Sequence, residues 1–345
     1  VVPSAPATER KTADLTVAVP ARRRSTWIRV ASYLVTVFIL ITFNFALPRL
    51  MPGDPIDALM AFGSPNYVQN DQTRAELAAY YKLDESLPHQ YGHYLEGLVH
   101  GNLGVSIVSN VSVAKELRAR VGWSFLLILT ATMISILVAL PTGVHSGWKR
   151  GRPVDSALLG FFLSVQNLPI FLVASVAFVV FSAKLGVFPL GGATTPFSGY
   201  HGFGQVLDIA HHLALPALLM GLDFATYAYL VMRSSMVSEL GADYLLGGRA
   251  KGLRERRLKY AYAGRNAFLP VVTVIGLQFG TAVTGLVFVE RIFSYPGVGR
   301  YLFDAIATRD YPAIEGAFLV LTLTVVTANL LVDLLYRRLD PRTAT

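Results

Sequence analysis

Apolar runs of about 20 residues alternate with polar, basic or Gly- and Pro-rich stretches along most of the chain. A helix needs about 20 apolar residues to cross the hydrocarbon core of a bilayer. The runs predict spans at 27–47, 123–144, 155–184, 212–232, 271–289 and 313–335. The third is too long for a straight crossing. Thirty residues at 1.5 Å each make roughly 45 Å, against a core of about 30 Å. Gln166 and Asn167 are polar and Pro169 follows them, so the run is expected to kink or to split into two half-helices there. The charge pattern asks for one net crossing. The fold predicted is an all-α polytopic membrane protein with six transmembrane helices, N-in and C-in.

The connections differ in character. Residues 1–26 are rich in Ala, Pro, Thr and Arg and read as a disordered cytoplasmic tail. No apolar stretch precedes Arg22-Arg23-Arg24, so 27–47 is expected to be an uncleaved first span. The region 48–121 is polar and is placed outside. It opens on Met51-Pro52-Gly53-Asp54-Pro55, whose prolines stop a helix. Short amphipathic helices are expected at 67–84 and 88–100, a turn at Gly101-Asn102-Leu103-Gly104, and a return to the membrane over 113–121. Residues 186–211 and 290–312 read as external loops. Five spans then make up 122–336, with a loop at 234–270, before a cytoplasmic tail at 337–345.

Composition supports the membrane reading. Of 345 residues, 53% are hydrophobic and 15% charged, where soluble domains carry about 25% charged. The net charge of +8 does not point to nucleic acid, because the basic residues cluster beside apolar runs. Twenty of the 30 Lys and Arg fall at 10–29, 149–152, 233–265 and 337–342, the segments that this topology places inside. The chain has no cysteine, which excludes disulfides and thiol chemistry.

Catalytic patterns are missing. There is no GxxxxGK[ST] loop, and Gly297-Val298-Gly299-Arg300 has no strand before it and no Lys-Ser/Thr after it. The seven histidines show no HExxH spacing, and the pair His211-His212 is expected at a membrane boundary rather than on a metal. No GxSxG elbow occurs. The chain is expected to be no enzyme, to bind no metal and to hold no cofactor of its own.

The stretch 243–270, DYLLGGRAKGLRERRLKYAYAGRNAFLP, stands apart. It is too basic for a bilayer, where a central Lys or Arg costs about 2.5–3.5 kcal/mol. Cytoplasmic placement alone accounts for the charge. It does not account for the recurrence of Leu245, Leu246, Leu253 and Leu258 or for glycines at 247, 248, 252 and 264. Two short helices broken near Gly252 are predicted, lying on the membrane face.

Arg249-Ala250-Lys251-Gly252-Leu253, Arg256-Arg257 and Arg265-Asn266-Ala267-Phe268-Leu269-Pro270 closely resemble the cytoplasmic loop of ABC-importer permeases of the dipeptide/oligopeptide/nickel branch. Similar to the same family are the MPGDP run, Gly101-Asn102-Leu103-Gly104, Leu215-Pro216-Ala217 and Gly276-Leu277-Gln278-Phe279-Gly280. So are Val289-Glu290 with Phe293-Ser294-Tyr295-Pro296-Gly297-Val298-Gly299, Arg309-Asp310-Tyr311-Pro312, Asn329-Leu330-Leu331-Val332-Asp333 and Leu339-Asp340-Pro341-Arg342. The resemblance covers about 27–342. It implies the ABC type I importer permease fold and binding-protein-dependent transport of short peptides. Nickel complexes, opines or oligosaccharides are the alternatives within the branch. It implies a homologous second permease subunit, two ABC ATPase subunits that carry ATP and Mg, an extracytoplasmic substrate-binding protein and a lipid setting. The family's EAA motif holds a coupling helix that enters a groove on the ATPase. Here it implies a buried contact from Tyr244, Leu245, Ala250, Gly252 and Leu253, rimmed by Arg249, Lys251 and Arg254. The chain departs from the family at Leu246-Gly247-Gly248, where small helix formers are usual. Two glycines cost about 1 kcal/mol each in a helix, so the coupling helix is expected to start late or to form only when docked.

Polar residues inside spans face the bundle interior by default. Asn44, Gln166, Asn167, Asp223, Gln278, Thr281 and Thr284 are therefore candidates for the translocation pathway, with Asn329 and Asp333 as further polar positions. Asp223 stands where the family is usually apolar, and local pairing near the outer end of its span is the plainer expectation for it. Gly276, Gly280 and Gly285 are expected to permit close helix packing. The rival classes are an ion-coupled secondary transporter, which predicts inverted repeats that the sequence does not display, and a receptor or scaffold without transport.

Overall fold

The computed structural model describes residues 26–56 and 71–339, leaving aside the side chains of 26–30, 71, 73, 279–281 and 332–339. The expected tail, the start of the 67–84 helix and the side chains of Thr281, Gly280 and Asp333 lie outside the described residues. The described residues are helical, with one isolated bridge between Val105 and Ser112 in place of any strand. The helices are α1 (Thr26–Leu50), α2 (Asp71–Tyr80), α3 (Leu87–Val99), α4 (Val113–Trp148) and α5 (Pro153–Gln166). Next come α6 (Ile170–Ala177, continued by the π-helical Phe178–Lys184) and α7 (Phe203–Glu239). Then follow α8 (Asp243–Ala250), α9 (Gly264–Ile292), α10 (Val298–Thr308) and α11 (Tyr311–Leu339). Residues up to Leu40 form a unit by themselves, and the rest of the chain forms the second. In the first unit Leu34, Val35, Phe38 and Ile39 are all exposed, as lipid-facing residues are.

Four of these helices are long and apolar enough to cross a membrane, and two bent pairs raise the number to six. The bend between α5 and α6 is 94°, a break rather than a kink. Pro169 supplies no N–H there, and Asn167 turns its Nδ2 back to the Leu163 carbonyl at 2.6 Å. Several spans start earlier than hydropathy alone indicates. α4 begins at Val113 and α7 at Phe203, so 203–211 is helix rather than loop. Gly202, at φ +59, turns the chain into α7. The segment 290–312, expected as an external loop, contains α10. α10 has a distinct apolar face, with Val298, Leu302 and Ala305 buried. Its eleven residues are too few to register as a span.

α4 and α7 form the central pair. Close approach in this pair falls on Gly143, Gly147 and Gly221. A Cβ at Gly143 would stand 2.7 Å from Met232 Cβ, and one at Gly147 2.5 Å from Met236 Cβ. One at Gly221 would stand 2.7 Å from Ile134 Cγ2. At Gly285 an added Cβ meets Ile170 only at 3.8 Å. Small residues let membrane helices come together where no hydrophobic effect drives them. Two apolar clusters flank this seam. One gathers Leu117, Leu127, Met220, Leu286, Tyr295 and Ile314. The other gathers Phe162, Tyr229, Met236, Leu245, Leu258 and Val271, and it carries the loop that includes α8.

Candidate functional site

Asp243 opens α8 with a carboxylate in its first turn, where the helix dipole favours negative charge. Arg249 stands in its last turn, where a cation is favoured. Lys251 and Gly252 end it by donating to the carbonyls of Gly247 and Arg249 at 3.1 and 2.9 Å. Gly252 is at φ +72, a conformation glycine reaches without strain. The chain then turns back as one helical turn, Glu255–Arg257, widens into the π-helical Leu258–Ala263 and runs on as α9. The second of the two expected short helices is therefore the rigid start of a spanning helix. Neither of the loop's glycine pair delays α8. Gly247 and Gly248 lie inside it, and Gly248 is where it seats: a Cβ there would be 2.5 Å from Leu258 Cδ2.

The residues expected to meet a partner divide into two sets. Leu245 is fully buried and Leu253 half-buried, both packed into the chain's own second cluster. Leu245 therefore anchors α8 and is not presented outward. Tyr244, Arg249, Ala250, Lys251, Gly252 and Arg254 are exposed. Leu246, missing from the expected contact set, is 62% exposed and is the most prominent apolar side chain on the outer face of α8. Tyr244 hydrogen-bonds through its hydroxyl to the Glu239 carboxylate at the end of α7. Burial first, and then that carboxylate, push its phenol above the ordinary range. Arg249 pairs with Glu255 at 3.0 Å and lies 5.9 Å from the Trp148 ring. Lys259, buried, donates to His145 Nδ1 on α4 at 2.9 Å. The loop is tied to α4, α7 and α9 at once.

Beneath it lies a polar knot that sequence reasoning missed. Asp155 at the start of α5 takes two hydrogen bonds from Arg233 on α7, at 2.6 and 2.8 Å. It takes a third from Ser146 Oγ at 2.5 Å and a fourth from the Gly151 amide at 2.9 Å. Tyr229 joins Ser146 at 2.7 Å and stacks on Phe162 at 4.1 Å between ring centroids. The signal available was an acidic residue at the mouth of a span whose neighbouring loop is basic.

The far end of α4 carries a second knot. Glu290 is fully buried and accepts from Ser124 Oγ at 2.6 Å and from the Arg300 and Gly299 amides. It caps α10 from another helix. Asp310 accepts from Ser106 Oγ at 2.5 Å and from the amides of Ile107, Val108 and Ala313, so it caps α11 and holds the 106–108 turn.

The pathway candidates do not form one cluster. Asn44 is buried and donates to Tyr94 Oη at 3.1 Å and to the Glu315 carbonyl at 2.7 Å, which ties α1 to α3 and α11. Burial, helped by Glu315, pushes the Tyr94 phenol up to about 12. Glu315 itself pairs with Arg49. Gln166 and Asn167 sit exposed at the α5–α6 break, and Thr284 is exposed on α9. Gln278 is buried and donates to the Phe224 carbonyl at 2.5 Å, beside Asp223. Asp223 is half-buried and has no hydrogen-bond or ion-pair partner among the described residues, so the expected local pairing is absent there. His212 is buried and donates to the Asp208 carbonyl at 2.9 Å. Among the described residues no group of three His, Asp or Glu could hold a metal ion.

The family model for "Binding-protein-dependent transport system inner membrane component" matches residues 131–345. A putative peptide permease protein of Brucella suis is 40% identical over 299 residues, spanning 86% of this chain and 92% of its own length. The dipeptide transport system permease protein of Escherichia coli K12 is 35% identical, spanning 91% of this chain and 97% of its own. A glutathione transport system permease protein of Pectobacterium atrosepticum is 34% identical over 91% and 96%. With spans able to cross a membrane and a match over most of its length, the chain belongs to the family of inner membrane components of binding-protein-dependent transport systems, with the peptide permeases as its relatives.

Proposed function

We propose that this chain forms half of the translocation pathway of an ATP-driven importer of short peptides. The N-terminus, the α8 loop and the C-terminus face the cytoplasm. A homologous second permease subunit completes the pathway. Two ATPase subunits, which hold ATP and Mg, dock on α8, and an extracytoplasmic binding protein delivers cargo to the face made by 48–121, 186–211 and 290–312. The relatives named for dipeptide, peptide and glutathione transport support the cargo class.

One observation carries the coupling role. α8 presents Leu246, Tyr244 and Arg249 outward, with Lys251 just past its end, while Leu245 is buried in the second cluster and Gly248 seats it on Leu258. A push on its outer face reaches α7 through Tyr244–Glu239, α4 through His145–Lys259, and α9 through the helical turn after Gly252. A short helix fixed in this way transmits displacement, where a flexible loop would absorb it. Membrane-bound ATPase and peptide uptake, measured on the complete importer, test this. Leu246→Glu is expected to release the ATPase and abolish uptake with the permease pair intact. Full uptake by that variant would remove α8 as the coupling element.

A further inference from the structure

Asp223 is the one Asp, Glu, Lys or Arg in the apolar stretch 213–232 of α7, and 123–144, 156–183, 266–289 and 316–332 contain none. Described acidic residues that flank these stretches are held in place. Asp155 has Arg233, Glu290 has Ser124 and the α10 amides, Glu315 has Arg49, and Asp208 has Thr195. Asp223 has no such partner among the described residues. It lies roughly 30 Å along α7 from Phe203 and roughly 24 Å from Glu239, at 1.5 Å per residue. That is well within a hydrocarbon layer of about 30 Å.

A carboxylate at this depth is costly against lipid and faces protein or water. This chain covers its face only in part. Tyr227, one turn on, is 49% exposed, and Ser234 is exposed two turns beyond. The neighbouring helix changes character at the same level. Gln278 of α9 holds the Phe224 carbonyl next to Asp223, and the path of α9 bends by 56° between Gln278 and Ala282. A spanning helix that bends beside an unpaired charge, with a buried Gln278 at the bend, opens a polar face at mid-membrane to a passing solute.

We propose that Asp223 is the counter-ion for the ammonium group of the cargo at mid-membrane, with the Tyr227 ring beside it as an aromatic face for the same cation. This rests on the peptide-importer reading and adds a specificity-determining residue to it. A free peptide carries the ammonium. The carboxylate compensates it where water cannot, and cargo without an ammonium gains nothing from it.

The test uses the complete importer in vesicles, with uptake of lysyl-alanine, dialanine and glutamyl-alanine. The binding protein is unchanged throughout, so ratios between variants report on the permease. Asp223→Asn is expected to lower uptake about tenfold, the scale of one contact to a charged group, with lysyl-alanine hit hardest. ATP hydrolysis stimulated by the loaded binding protein is expected to persist, and Asp223→Glu to restore uptake. Unchanged uptake in Asp223→Asn would overturn the proposal. So would separation of the two permease subunits on extraction of that variant, because the carboxylate would then be pairing with a cation of the second subunit. A wild-type importer that moved none of the three peptides would instead remove the peptide reading itself, and this inference with it.

Discussion

Arg233 of α7 reaches Asp155 of α5 through two hydrogen bonds of 2.6 and 2.8 Å, with the carboxylate 4% and the guanidinium 22% exposed. The pair joins two helices that carry the second apolar cluster, directly under the α8 loop. Removing one partner strands the other, at a cost of about 3–5 kcal/mol for a buried pair. Arg233→Ala is therefore expected to lower the detergent-solubilised melting temperature clearly. Arg233→Lys is expected to recover only part, since an ammonium cannot form the two-pronged contact. A melt of Arg233→Ala that matches wild type would show that Ser146 and Gly151 hold Asp155 without help.

Glu290 dictates the glycines that follow it. An added Cβ at Gly297 would lie 2.0 Å from Glu290 Oε1, and one at Gly299 3.0 Å from Oε2. Gly297→Ala must expel a fully buried carboxylate from the start of α10. It is expected to cost at least 2–3 kcal/mol, as stranded buried polar groups do. Gly122→Ala is the control. That glycine lies inside α4 with nothing near its missing Cβ, and alanine there should stabilise by up to about 1 kcal/mol. Opposite signs in a thermal melt are expected. A neutral Gly297→Ala would mean that Glu290 does not occupy this seat.

Asp310 is expected to matter for the order of the segment it holds. Its four partners are Ser106 Oγ and the amides of Ile107, Val108 and Ala313. Asp310→Ala removes a helix cap, which costs about 0.5–2 kcal/mol, and leaves buried amides unpaired. Limited proteolysis of the solubilised protein is expected to cut near 105–112 several-fold faster in the variant. Equal rates would place the hold on that turn elsewhere, with the Val105–Ser112 bridge as the remaining tie.

How much of this was legible in the sequence follows from what apolar runs report. They report burial in lipid or core, so the number and order of spans could be read, while helix ends outside the membrane could not. α7 continues back to Phe203 through His211, Asp208 and Gln205, residues a hydropathy window treats as loop. α10 was missed because eleven amphipathic residues leave too weak a trace. In the loop, composition could not tell Leu245 from Leu246. Helix rotation decides it, turning one into the second cluster and the other outward. Asp155 and Glu290 sat at span mouths, where charge is ordinary; the sequence offered Asp155 beside a basic loop as a hint, and nothing that marked either as buried.

The two adjacent glycines of α8 are expected to behave oppositely, because rotation on the helix separates their surroundings. Gly247 has open space around its missing Cβ, so Gly247→Ala removes about 1 kcal/mol of helix penalty without a contact to offend. Gly248 faces Leu258 at 2.5 Å, and Leu258 is itself fully buried in a close-packed cluster that gives little room to yield. Alanine at 248 gains the same propensity, but lifts α8 from its seat at an overpacking cost of about 1–3 kcal/mol. On the complete importer, Gly247→Ala is expected to keep uptake at or above wild type. Gly248→Ala is expected to hydrolyse ATP with little uptake, since a loosened α8 no longer carries the displacement to α9. Equal uptake by the two variants would show that the seat on Leu258 does not transmit force, and the coupling argument built on it would fall.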